Sequence, residues 1–94
     1  MGKEITLFKS EEKRGLGDVA DFLRELADRI DKGRVVLIRG DKKLKLDLPD
    51  TVELEVEVEK EIGRKKTEIE LEIEIKWTVG KSGKPKSKEP LTLG

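Results

Sequence analysis

An α+β fold follows from two periodicities in the chain: one stretch of helical spacing, then four stretches that alternate apolar and polar residues. The expected architecture is one amphipathic helix packed on one face of a four- to five-stranded antiparallel meander sheet. The length of 94 residues suits one small domain. Residues 1–79 are expected to form it, followed by a basic, disordered tail over 80–94.

The optional fifth strand is EITLFK, residues 4–9. Placed antiparallel beside the last strand, it would send the helix that follows back across the sheet. The helix is DVADFLRELADRIDKG, with Val19, Phe22, Leu23, Leu26 and Ile30 on one stripe and Ala20 and Ala27 on its flanks. Asp18 is the expected N-cap, after Gly15 and Gly17, and Gly33 closes the helix in a left-handed conformation. Arg24 with Asp28, Glu25 with Arg29 and Asp28 with Lys32 form i,i+4 pairs on the solvated face.

Beyond Gly33 the period becomes two, through RVVLIRG, KLKLDLP, VELEVEVE and TEIELEIEIKW. Gly40-Asp41, Pro49-Asp50 and Ile62-Gly63-Arg64-Lys65 supply the turns, and connections this short favour a meander. The helix stripe would form the core with Leu44, Leu46, Val52, Leu54, Val56, Val58, Ile69, Leu71, Ile73 and Ile75. From SGKPKSKEP onward no apolar period remains, and Lys81, Lys84, Lys86 and Lys88 make the segment basic.

Charge is balanced in sum, with 21 basic and 21 acidic residues, which argues against a general attraction to nucleic acid or to an anionic membrane. Its distribution is uneven. Residues 50–75 carry 4 basic and 10 acidic groups, whereas residues 76–94 carry 5 and 1. Without cysteine there is no disulfide or thiolate zinc site, and no apolar run has the length of a signal peptide or membrane span, so a cytoplasmic location is expected. The opening MGKEIT fits the loose pattern for myristoylation, but so short a match carries little weight and no lipid anchor is expected. A charged fraction of 45%, with Asn, Gln and Cys absent, gives the composition a thermophile-like character.

Three stretches in combination, DVADFLRELADRIDKGRVVLIRG, LDLPDTVELEVEVE and IELEIEIKW, resemble the amphi-Trp domain, a small prokaryotic family. The resemblance runs from Phe8 to Trp77, and Trp77 matches the tryptophan for which the family is named. The Gly15-Leu16-Gly17 entry to the helix departs from a polar capping sequence, and the lysine-rich tail lies outside the resemblance. It implies no activity, substrate or catalytic residue.

Enzymatic chemistry finds few candidates. The chain has no His, Cys or Tyr, which removes the usual general base, thiol nucleophile and phenol. Ser10, Ser82 and Ser87 have no oriented base to activate them. Gly80-Lys81-Ser82 mimics the end of a phosphate-binding loop, but Ile75 stands where its first glycine belongs and Pro85 blocks an early helix. The expectation is a noncatalytic protein without a cofactor.

Glutamates are the remaining signal. Placing the aliphatic residues of the last two strands toward the helix forces Glu53, Glu55, Glu57 and Glu59 onto the other face with Glu68, Glu70, Glu72 and Glu74. Glutamate then faces glutamate across the hairpin, and opposed like charges destabilise a sheet. A tight Pro49-Asp50 turn would set Lys45 opposite Glu55 and Lys43 opposite Glu57, easing part of that repulsion. Three readings stand: a solvated sheet face that also suppresses aggregation, a docking surface for a basic protein, or a site for hard cations.

The docking candidates are Glu53, Glu55, Glu57, Glu70, Glu72 and Glu74. Trp77 shares parity with Ile69 to Ile75 and, with Phe22, is read as a structural aromatic. Val35-Val36-Leu37-Ile38 is apolar on both faces, which makes Val35 and Leu37 candidates for the edge of a homodimer. The functional expectation is a protein-interaction or assembly module. Its rival is weak nucleic-acid binding by the basic tail and neighbouring lysines, which four or five charges would make salt-sensitive and indifferent to sequence.

Overall fold

The computed structural model describes residues 2–79 and 91–94. One helix, α1 (Leu16–Asp31), is followed by β1 (Arg34–Arg39), β2 (Lys42–Asp47), β3 (Glu53–Ile62) and β4 (Thr67–Lys76). The chain forms two compact units, Met1–Asp50 and Thr51–Gly94. The α+β class and the antiparallel strands are as expected. The strands, however, form two two-stranded sheets, β1 with β2 and β3 with β4, in place of one meander.

In the first unit α1 begins at Leu16, two residues before the expected cap. Gly15 is the N-cap and contributes no side-chain hydrogen bond, and the Val19 amide donates to its carbonyl at 3.1 Å. Asp18 instead lies in the first turn, where a carboxylate suits the positive end of the helix dipole. At the other end Gly33 takes a φ of 83° and its amide donates to the Ile30 carbonyl at 2.9 Å. Of the expected helical ion pairs, Lys32 reaches Asp28 at 3.5 Å, while Arg24 turns to Asp21 at 2.9 Å.

Gly40 and Asp41 join β1 to β2. Gly40 has a φ of 58° and Asp41 does not enter positive φ, the pattern of a type II′ turn whose twist suits a hairpin. Val35, Leu37, Leu44 and Leu46 share one face in the resulting register. Val35 is only 6% exposed and is the one buried hydrophobic among the described residues. It lines a hollow of about 130 Å³ with Phe22 and Leu26 of α1. At the mouth of the hairpin Arg34 is paired with Asp47 at 2.8 Å.

No strand forms over residues 4–9, so the optional fifth strand is absent among the described residues. The preceding segment is held differently, by Arg39 donating to the Lys9 carbonyl at 2.9 Å. β2 pairs with β1 alone, and with β3 in a separate sheet the expected pairing of Lys45 with Glu55 and of Lys43 with Glu57 does not form. Within the second unit β3 and β4 pair over their full ten-residue lengths.

Candidate functional site

Strict alternation over β3 and β4 sorts their side chains into two faces, one aliphatic and one acidic. The turn that sets their register is closed by the Gly63 amide, which donates to the Lys66 carbonyl at 2.9 Å. A one-residue slip would exchange the faces of one strand, so this turn also determines which carboxylates meet.

Four glutamate pairs stand directly opposed: Glu55 with Glu74, Glu57 with Glu72, Glu59 with Glu70, and Glu61 with Glu68. The columns anticipated from parity are therefore present. Glu53 is not part of them, because its partner is Lys76.

The ends of the acidic face differ from its centre. Lys76 Nζ lies 3.5 Å from Glu55 Oε1 and 3.4 Å from Glu74 Oε2, so one ammonium serves an opposed pair. Its pKa is raised, chiefly by the hydrogen bond to Glu74 and then by the charge of Glu55. Near the turn Lys66 Nζ lies 3.6 Å from Glu68. Among the described residues, no ion pair reaches Glu57, Glu59, Glu70 or Glu72.

Glu57 and Glu72 hold their protons more tightly than a free carboxyl does. Glu57 is raised above its ordinary value first by a hydrogen bond with Glu59 and then by the charge of Glu59. Glu72 is raised in the same way by Glu70, with Glu57 and Glu59 adding to the repulsion from across the hairpin. Each strand thus pairs its own two carboxyls along its length, while the charges face one another between strands.

The six docking candidates divide accordingly. Glu53, Glu55 and Glu74 sit at the end served by Lys76, while Glu57, Glu70 and Glu72 belong to the uncompensated centre. Glu59 completes that centre and was absent from the six. Lys76 was missed as well, although its position two residues after Glu74 places it on the acidic face by parity alone.

Oxygen atoms of Glu59, Glu70 and Glu72 lie within 4.8 Å of one another, close enough to share a hard cation. The three carboxylates stand on an open sheet, without a loop that would wrap an ion in the roughly six to eight oxygens calcium takes.

The other candidates fall elsewhere. Leu37 is half-buried beside the buried Val35, and Ile38 is the exposed member of the apolar run on β1. Phe22 is partly exposed beside the hollow against β1. Trp77 is half-buried immediately after β4. Lys81, Lys84, Lys86 and Lys88 lie outside the described residues. No helix among the described residues is long and apolar enough to cross a membrane.

In comparison with known proteins, the family model of the Amphi-Trp domain matches residues 1–93. The match takes in the basic segment after residue 80, which the resemblance from Phe8 to Trp77 did not. No curated protein and no solved structure matches the chain.

Proposed function

The chain belongs to the Amphi-Trp domain family, and on that premise we propose that it is a noncatalytic protein-interaction module whose glutamate face docks a basic partner. One observation carries the reading: Glu57 opposite Glu72 and Glu59 opposite Glu70 form a compact acidic centre with no cation paired to it among the described residues. Such a centre opposes hairpin formation while it is bare. A partner that lays lysines or arginines over it relieves the repulsion, so the strain of the free protein becomes preference for a cationic surface.

The regular spacing supports a partner with distributed charge. Successive carboxylates along one strand recur about every 6.8 Å, the repeat of every second residue in an extended segment. A basic strand or loop meets that repeat better than a compact ion does. The highly charged, cysteine-free composition further supports action in the cytoplasm. In the first unit we infer that α1 covers the face carrying Val35, Leu37, Leu44 and Leu46, a reading supported by the burial of Val35.

The test is affinity capture from the native organism with the wild-type chain and a variant carrying Glu55→Lys, Glu57→Lys, Glu70→Lys and Glu72→Lys. Circular dichroism verifies that both remain folded. A partner retained by wild type, released by salt and lost with the variant supports the docking face; identical captures reject it. Titration with DNA and RNA at low salt, using the full chain and one ending at residue 79, separates the rival tail-borne binding.

A further inference from the structure

We propose that residues 8–14 form a releasable strap, latched at Arg39, that walls a second and larger hollow of the first unit. This hollow, of about 540 Å³, takes part of its lining from the strap, including Phe8 and Arg14, and the rest from α1 and β1, including Phe22 and Ile38. The strap itself belongs to no helix or strand. Among the described residues no backbone–backbone hydrogen bond reaches it, and its ion pair, Arg14 with Glu12 at 2.6 Å, joins two of its own residues. Its attachment lies at two neighbouring positions. Phe8 is half-buried, whereas every other residue from 2 to 14 is exposed, and Arg39 Nη1 donates to the Lys9 carbonyl at 2.9 Å.

The first hairpin prepares Arg39 for this contact. Arg39 is the last residue of β1 and its cross-strand partner is Lys42, so the guanidinium meets a second cation there and is favoured to turn away. The Lys9 carbonyl then gives it an acceptor. A single exposed hydrogen bond shifts such an equilibrium by only about two- to tenfold, which biases the strap toward its seated position without locking it.

Release removes one wall of the hollow, which has its full extent only in the latched state. Because the anchor and the latch are adjacent in sequence, loss of the Arg39 bond leaves Phe8 as the only remaining hold on the strap. Every group in this device belongs to the first unit. The glutamate ladder of the second unit takes no part in it, so the inference does not depend on the docking reading.

Nuclear magnetic resonance of the full chain tests the latch. In wild type, backbone order parameters over residues 8–14 should stay above about 0.6, and the Phe8 ring should show Overhauser contacts to residues lining the hollow. Arg39→Met keeps an unbranched stem but removes the donor; it should drop the order parameters below that value and abolish the contacts. Protection of the β1–β2 amides from exchange should be retained or improved in the same variant, since the opposed cations are gone. Arg39→Lys, which keeps both charge and donor, should restore part of the order. A strap already mobile in wild type, or equally ordered in Arg39→Met, overturns the proposal. So does loss of hairpin protection in step with loss of strap order, which would make Arg39 a support of the hairpin. Glu57→Lys with Glu72→Lys should leave the strap unchanged, so failure of the latch and failure of basic-partner docking remain distinguishable.

Discussion

Glu57 on β3 and Glu72 on β4 stand directly opposite each other, and each has its carboxyl held above its ordinary pKa by a glutamate two residues away on its own strand. Both groups bind protons more readily in the folded hairpin than in the unfolded chain. Repulsion within the ladder is consequently tied to pH.

Stability of the second unit should rise as pH falls from neutrality toward the ordinary carboxylate range. For an acid whose folded pKa is raised, the native state binds more protons over the window between its unfolded and folded values, so stability declines as pH increases through it. Thermal unfolding followed by circular dichroism at pH 7 and pH 5 will measure the trend. Glu57→Gln with Glu72→Gln should flatten it and raise the melting temperature at pH 7.

Lys76→Gln should lower the melting temperature at neutral pH, most clearly in low salt, because it removes the ammonium shared by Glu55 and Glu74. The folded lysine has a raised pKa, so its contribution is present below the ordinary lysine value and fades as pH rises through the folded value. The difference between wild type and variant should therefore shrink in strongly alkaline buffer. A difference unchanged by salt and pH would assign Lys76 a packing role instead.

Gly63→Ala should destabilise the hairpin by about 1–3 kcal/mol through overpacking. A Cβ at Gly63 would lie 2.9 Å from the Lys66 carbonyl oxygen, inside contact distance and against backbone. By contrast, Gly15 has open space around a built Cβ and lacks a side-chain cap, so Gly15→Asp should stabilise α1 by about a few tenths of a kcal/mol. Urea unfolding of both variants tests the contrast.

Val35→Ala should cost about 1–3 kcal/mol, whereas Ile38→Ala should change stability by less than about 0.5 kcal/mol. The neighbours have similar chemistry but opposite surroundings, since Val35 is buried and Ile38 is exposed. Equal losses in denaturant unfolding would reject that assignment of faces.

Local pattern made much of this arrangement legible. The spacing of Phe22, Leu26 and Ile30 marked α1, Gly33 marked its end, and parity foretold the opposed glutamates. The start of α1 was less visible because a glycine N-cap contributes no side-chain oxygen, which left Asp18 as the plausible signal. Register was harder still. Parity required glutamates to meet but not which ones, and only the turn closed by Gly63 and Lys66 placed Lys76 opposite Glu53 and beside Glu55 and Glu74. Pairing beyond each hairpin was outside local inference: Lys43 and Lys45 alternate as a complement to glutamates would, yet β2 and β3 belong to separate sheets.

Gly33 does more than end a helix. Its amide holds the Ile30 carbonyl, and its own carbonyl accepts from the Leu48 amide at 2.9 Å, just beyond β2. The same peptide region therefore clasps the last turn of α1 to the exit of the first hairpin. Opening either side exposes both bonds, so the Gly33 and Leu48 amide protons should exchange with solvent through a common opening. The helix end and the hairpin mouth form one cooperative unit of unfolding.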